Sequence, residues 1–315
     1  MARTAHSLLR TAHRRQVLET DENRTMDVGL YPLRFKGIFK ETPWGGNRLR
    51  EVFGKDTPRG KRVGESWEIV DRGDVRPGRT PAEGDNSLIV NGPYRGVTLH
   101  ELMEQRPVEL LGSSGNGHVR FPLLVKFLDV TDRLSVQVHP DDAYAKAREK
   151  DGGKTEAWYV ISTEPGAWIV HGLKEGIPLE FFAECLKKGD RGQIESCLNF
   201  LSVKSGDTIF IPPGTLHAAG DGLLLLEVQQ NSDLTYRVYD WGSDRPLQPE
   251  KALGVMKEVG GSSTSPGSQK SRSRRTLFDR GGPHRLLECE KFIMELLELE
   301  EAYERKASGF HILTF

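Results

Sequence analysis

Short apolar runs separated by Gly, Pro and Asp recur from residue 31 to about residue 253, and their spacing predicts a β protein. The runs are SWEIV (66–70), LLVKFLDV (123–130), LSVQVHP (134–140), EAWYVI (156–161), TIFIPP (208–213), LLLLEV (223–228) and TYRVYDW (235–241). The uninterrupted leucine run at 223–226 suits a strand buried on both faces. Two segments switch to helical spacing. Residues 98–104 form a short one, and 179–200 puts Phe181, Phe182, Cys185, Leu186, Ile194 and Leu198 on one apolar face. The Lys-Lys-Gly-Asp at 187–190 should divide the second into two helices.

The pattern fails at both ends and once inside. Residues 1–30 read as a disordered N-terminal extension, with Arg3, Arg10, Arg14 and Arg15 and no acid before Glu19. Such a composition resembles an organelle transit peptide. Because Met26 stands just before the first strand-like segment, an early start codon is the favoured reading. Residues 257–281 read as a flexible linker around GGSSTSPGSQKSRSRR (260–275), with nothing to bury. Beyond it, 282–315 offers a few strands, among them KFIMELLEL (291–299) and GFHILTF (309–315). That is too little for a self-sufficient sheet, so this segment must pack on the preceding domain or belong to something longer.

Composition narrows the function classes. In 315 residues, 44 Lys and Arg nearly balance 45 Asp and Glu, so no global field draws the chain to nucleic acid or an anionic membrane. The basic cluster at 270–275 has no interleaved aromatics and reads as solvated linker. No apolar run approaches the roughly 20 residues of a membrane span. Three cysteines without CxxC spacing indicate neither a disulfide scaffold nor a thiolate zinc site, which points to a reducing, cytoplasmic setting.

The chemistry concentrates in a few positions. In GDTIFIPPGTLH (206–217) a glycine turn, a strand and a Pro-Pro-Gly corner deliver His217 at a strand start. The spacing Gly-x5-Pro-x-Gly-x2-His resembles the second motif of the cupins, with Asp221 in place of the usual closing Asn. In LSVQVHP, Gln137 and His139 lie two apart and share one strand face. Glu156, after the polar loop DDAYAKAREKDGGK, is the nearest suitable carboxylate, and Lys154 precedes it by two. Two imidazoles, a carboxylate and an amide oxygen suit Zn²⁺, with Fe²⁺ or Mn²⁺ as alternatives. In TYRVYDW, Arg237 can point into the barrel, either paired with an acid such as Glu227 or facing an anionic substrate.

Seven ordered blocks carry a wider resemblance. FKETPWGGNRL (39–49), GESWEI (64–69), FPLLVKFLDV (121–130), QVHPDD (137–142), GKTEAWYV (153–160), IPPGTLHA (211–218) and QQNSDLTYRVYDW (229–241) together resemble type I mannose-6-phosphate isomerase, in its short bacterial form. The likeness spans about residues 35–256. It implies a mainly β, cupin jelly-roll catalytic domain over 31–256, a helical insertion near 178–200, and a partial second jelly roll over 282–315. It also implies one Zn²⁺ per chain and interconversion of mannose 6-phosphate and fructose 6-phosphate through a cis-enediol. The ligands would be His139, Glu156 and His217, with Gln137 as a fourth, and Arg237 matches the family's active-site arginine.

Arg237 stays protonated at working pH, so it suits stabilisation of an enediolate and not proton abstraction. The base falls to a carboxylate, to Lys154 or to metal-linked water, and Lys154 could equally be a phosphate or surface contact. Lys126, Ser66 and Arg48 sit in matching blocks as candidate phosphate contacts. The sugar phosphate is then the expected partner, with no nucleic acid and no membrane. Two other classes compete, a non-catalytic cupin that binds a sugar or sugar phosphate and an Fe²⁺ oxygenase. Gln137 in place of the first His argues against the latter.

Overall fold

The computed structural model describes residues 29–73, 85–115, 117–149, 151–258, 272–273, 283–297 and 309–314. In chain order the strands begin β1 (Phe35–Lys36), β2 (Ile38–Gly46), β3 (Val63–Ile69), β4 (Leu88–Ile89), β5 (Leu123–Val130), β6 (Val136–Val138), β7 (Glu156–Thr163) and β8 (Trp168–Leu173). They continue with β9 (Leu198–Ser202), β10 (Thr208–Ile211), β11 (His217–Gly220), β12 (Leu223–Gln230), β13 (Tyr236–Tyr239), β14 (Arg272–Ser273), β15 (His284–Glu288) and β16 (Ile293–Leu296). The helices are α1 (Arg48–Glu51), α2 (Leu99–Gln105), α3 (Pro107–Leu111), α4 (Asp142–Arg148), α5 (Leu179–Lys188), α6 (Arg191–Cys197) and α7 (Pro249–Glu258). None of them is long and apolar enough to cross a membrane.

Two antiparallel sheets form the body. The larger runs β14-β10-β7-β12-β5-β3-β2 and the smaller β13-β6-β11-β8-β9. Every second residue of the facing strands enters the space between them, where Trp158, Val160, Ile169, Ile209, Ala219, Leu223 and Leu225 make one buried cluster. The mainly β, jelly-roll class expected from the sequence is the class observed.

The outer faces are also covered. Helices α5, α6 and α7 lay Phe182, Cys185, Ile194, Ala252 and Val255 on Val136, Val138, Val170 and Ala218 of the smaller sheet. On the larger sheet, Leu99 and Met103 of α2 meet Leu123 and Ala157, joined by Leu286, Phe292 and Met294 of the β15–β16 hairpin. Burial on both faces is why residues 223–226 are apolar without interruption. Leu223 and Leu225 face the smaller sheet, whereas Leu224 packs outward with Leu49 and Phe127.

The insertion divides where the sequence puts the break. Gly189 closes α5 in the left-handed region (φ 66°), and Asp190 caps α6 by accepting from the Gln193 N–H. Three local expectations are corrected. Phe181 is 43% exposed, because its neighbour Phe182 takes the core-facing position and adjacent helical side chains point about 100° apart. Residues 198–202 are the edge strand β9, paired with β8, and not helix. The stretch after His139 is no plain loop, since the Asp141 carboxylate accepts from the Tyr144 N–H at 2.8 Å and starts α4.

The tail divides similarly. Part of KFIMELLEL is β16, paired with β15, but residues 309–314 form no strand. They pack on the main β body through Phe310, whose ring lies 4.8 Å from that of Phe121. Within the 257–281 span, α7 extends to Glu258 and Arg272–Ser273 pairs with Thr208 and Ile209 of β10. The rest of that span and the expected extension over residues 1–28 lie outside the described residues.

Candidate metal centre and active site

Strand register assembles the site. In the smaller sheet, Arg237 on β13 faces Gln137 on β6, and Gln137 faces His217 on β11. Directly opposed residues share a face, so all three side chains enter the space between the sheets. On the larger sheet, alternation turns Glu156 and Trp158 of β7 inward, and Lys126 pairs in register with Glu227. The buried His139 follows β6.

His139, Glu156 and His217 are buried together, with candidate ligand atoms all within 4.8 Å of one another. Second contacts fix both imidazoles. His139 Nδ1 donates to the Leu234 carbonyl at 2.7 Å and His217 Nδ1 to the Thr215 carbonyl at 2.8 Å. A carbonyl can only accept, so each ring carries its proton on Nδ1 and turns an Nε2 lone pair inward. His217 Nε2 then lies 3.1 Å from Glu156 Oε1, acceptor against acceptor, and neither atom has a hydrogen-bond partner. His139 Nε2 is 3.4 Å from Glu156 Oε2. The Lys154 ammonium donates to His139 Nε2 at 3.0 Å and also to Glu156 Oε2.

More buried lone pairs converge here than one ammonium can satisfy, and a cation resolves that surplus. Ligands held at about 2.1 Å in a tetrahedron stand about 3.4 Å apart, close to the separations seen. The three residues therefore fit a divalent metal. Burial and the Lys154 ammonium push His139 down to about 3, which keeps its lone pair available. For Glu156, burial acts to raise the pKa. Lys154, His139 and His217 outweigh it and hold the carboxyl well below its ordinary value, so it stays ionised.

A cavity of about 370 Å³ opens beside this cluster. That is within the size range of small-molecule pockets. Gln137, Thr235, Arg237 and Ser135 form one wall, and Lys40, Trp67 and Lys126 belong to the other. Lys154, Glu227, Asp233 and Arg245 also reach it. Glu227 accepts from Trp158 Nε1 at 2.7 Å and stands 3.2 Å from Lys126 and 3.8 Å from Lys154. Burial acts to lower Lys126, but Glu227, Glu65 and Glu156 raise it well above the ordinary lysine value, so it stays charged.

Arg237 has no carboxylate within ion-pair distance among the described residues. Its terminal nitrogen donates to the Pro246 carbonyl at 3.0 Å, and its buried Nε has no partner. The expected alternative of an Arg237–Glu227 pair is thus not formed. Burial and the neighbouring Arg245 lower its pKa, with Asp240 opposing.

Two positions expected to hold phosphate are placed elsewhere. Ser66 is opposite Phe127, one register step from the inward Trp67–Lys126 pair, so it faces away from the cavity. Its hydroxyl donates to Glu68 Oε1 at 2.5 Å. Arg48 follows the turn into α1, where Nε and its backbone N–H both reach the fully buried Asp129 at 2.7 Å. The same guanidinium donates to the carbonyls of Val130 and Leu223, so it stitches β2, β5 and β12 together. Arg48→Ala should strip Asp129 of its charge partner and destabilise the fold by about 3 kcal/mol in urea unfolding. Unchanged stability would show that Asp129 is satisfied without it.

Sequence reasoning missed Trp67, the neighbour of Ser66 on the opposite strand face, and Ser135, on the same face as Gln137. Trp67 lines the cavity with Lys40 4.2 Å above its ring, and its Nε1 donates to Glu65 at 2.7 Å. Ser135 lies two residues before Gln137, so period-two spacing could have found it. At the end of β11, Asp221 takes a left-handed backbone (φ 60°), which Asp tolerates nearly as Asn does. It also accepts from Trp168 Nε1 at 2.6 Å, a structural task.

Comparison with known proteins agrees with this geometry. Residues 33–159 match the model of the type I phosphomannose isomerase catalytic domain. A mannose-6-phosphate isomerase of Streptococcus mutans is 42% identical over 231 residues, covering 71% of this chain and 67% of the relative. The isomerase ManA of Bacillus subtilis is 40% identical over 232 residues, covering 71% and 68%. A crystal structure of the mannose 6-phosphate isomerase from Bacillus subtilis superposes with a TM-score of 0.61 at 39% identity, over 72% of this chain and 68% of that one. With an imidazole–carboxylate–imidazole cluster on a jelly roll of this kind and relatives of this similarity, the chain belongs to the type I mannose-6-phosphate isomerase family of enzymes.

Proposed function

We propose that this chain is a zinc-dependent aldose–ketose isomerase that interconverts mannose 6-phosphate and fructose 6-phosphate through a cis-enediol intermediate, in a cytoplasmic setting. One observation carries the reading. Three buried acceptors, His139 Nε2, His217 Nε2 and the Glu156 carboxylate, converge with too few donors beside a cavity that also receives the unpaired Arg237. These three would hold the zinc, with the Gln137 amide oxygen as a fourth donor from the same strand face. When bound, zinc supplies a Lewis acid beside the sugar oxygens and orients them.

The remaining chemistry falls to this chain's own side chains. Moving a proton between C1 and C2 builds negative charge on O1 and O2, and a fixed guanidinium stabilises that charge at little reorganisation cost. In this reading Arg237 supplies it, facing the cavity from the strand next to Gln137. Lys154 and Glu227, 3.8 Å apart on the cavity wall, would hold and pass the proton. Lys126 and Arg245 add cationic character for a phosphate, although each is already matched by carboxylates, Glu227 and Asp240 respectively.

The test is formation of fructose 6-phosphate from mannose 6-phosphate by the purified chain. Turnover on the order of 10–10³ s⁻¹ is expected. A folded, zinc-loaded protein that binds mannose 6-phosphate without converting it would overturn the catalytic reading in favour of a sugar-phosphate binder.

A further inference from the structure

The β15–β16 hairpin packs directly behind the metal cluster. Ala157, the residue after Glu156, shares an apolar cluster with Leu286, Phe292 and Met294. At the hairpin turn, Lys291 Nζ reaches Asp142 Oδ2 at 2.9 Å. Asp142 opens α4, and its carboxylate is a junction. Its Oδ1 accepts from the Gly153 N–H at 2.9 Å, and the carboxylate accepts from Gln230 Nε2 at 3.1 and 3.2 Å.

Those contacts bracket Lys154. Gly153 precedes it and lies so close to α4 that a Cβ there would stand 2.4 Å from the Asp142 backbone nitrogen. Thr155 follows it, donating its N–H to Gln230 Oε1 at 2.9 Å, while the Lys154 N–H donates to the Pro140 carbonyl at 2.9 Å. A cleft of about 390 Å³, lined in part by Thr155, Gln230, Cys289 and Lys291, otherwise separates the hairpin from this loop. The ion pair bridges that cleft.

We infer that Lys291 is a positioning residue. It holds Asp142 and, through Gly153 and Gln230, the loop that carries the Lys154 ammonium beside Glu156 and Glu227. The catalytic consequence rests on the role proposed above for Lys154. Two magnitudes separate positioning from bulk stability. The pair is partly exposed, so its loss should shift the folding equilibrium by no more than about fivefold. Displacing a reacting group by an ångström can cost up to about 100-fold in rate.

Lys291→Met and Lys291→Arg in the full chain provide the test. In the Met variant, hydrogen exchange at the Gly153 amide should speed up by about fivefold, the value of one exposed ion pair. In the same variant kcat should fall about tenfold with KM little changed. The Arg variant should restore both, because a guanidinium can reach the same carboxylate. Unchanged exchange at Gly153, an Arg variant no better than Met, or faster exchange with an unaltered kcat would each overturn the inference. The exchange measurement needs no turnover. Faster exchange in a chain that lacks isomerase activity would support the bracing of the loop while removing the function proposed for it.

Discussion

Glu156→Ala is expected to abolish metal retention and isomerase turnover together, and to destabilise the fold by about 3 kcal/mol. The two losses have separate origins. Without the carboxylate, two neutral imidazoles remain, and the only anion among the three candidate ligands is gone. The stability loss comes from Lys154, which is buried and bonded to Glu156. An ammonium left there unpaired carries a desolvation penalty. Glu227 at 3.8 Å offers partial compensation, which places the cost at the lower end of the range for a broken buried pair. Metal content after gel filtration, turnover and urea unfolding report the three quantities. A variant that keeps its metal and wild-type turnover would show that Glu156 is no ligand.

Arg237→Ala should behave in the opposite way, keeping fold and metal while losing about 10²–10³-fold in kcat, the usual cost of removing a donor aimed at developing negative charge. Its guanidinium forms no ion pair with the described part of the chain, and its buried Nε is unpartnered, so the fold asks little of it. Arg237→Lys should recover only part of the loss, because a point charge cannot reproduce the planar fork. Wild-type kcat in the Ala variant would remove Arg237 from the chemistry. A large drop in thermal stability would instead mark it as structural.

The contrast between these two sites tracks what a sequence can reveal. His139, Glu156 and His217 are legible because each is an unusual residue at a strand end, and strand parity is self-consistent within the Gln-x-His spacing of 137–139. Parity was ambiguous where both faces are apolar. In GESWEI nothing in the letters says whether Ser66 or Trp67 faces the cavity, since α1 and its neighbours cover the outer face as fully as the second sheet covers the inner one. The structure turns Trp67 inward. For Arg48 the reason is different. Its partner Asp129 is 81 residues away, and a buried helix-to-strand ion pair leaves no local signal. Helix α4 was hidden inside a polar stretch because its apolar contribution is small, Tyr144 and Ala145 only, although Asp141 after Pro140 was an available N-cap. The polar turn QQNSD connects strands of different sheets, β12 and β13, and does more than join them. Ser232 donates to the Gly152 carbonyl, Asn231 donates to the Phe121 carbonyl, and the Leu234 carbonyl orients His139. Such tertiary bonds bind the loops around the metal cluster, and only the folded chain displays them.

The most direct test of a metal-dependent isomerase is a chelate-and-restore assay on the purified chain. Fructose 6-phosphate formation from mannose 6-phosphate would be followed as purified, after chelation and dialysis, and after stoichiometric Zn²⁺ is returned. The account predicts turnover that chelation removes and zinc restores, with His217→Ala inert at every stage. Turnover that persists unchanged in demonstrably metal-free protein would contradict it, because the convergent lone pairs of His139, Glu156 and His217 would then serve no cation.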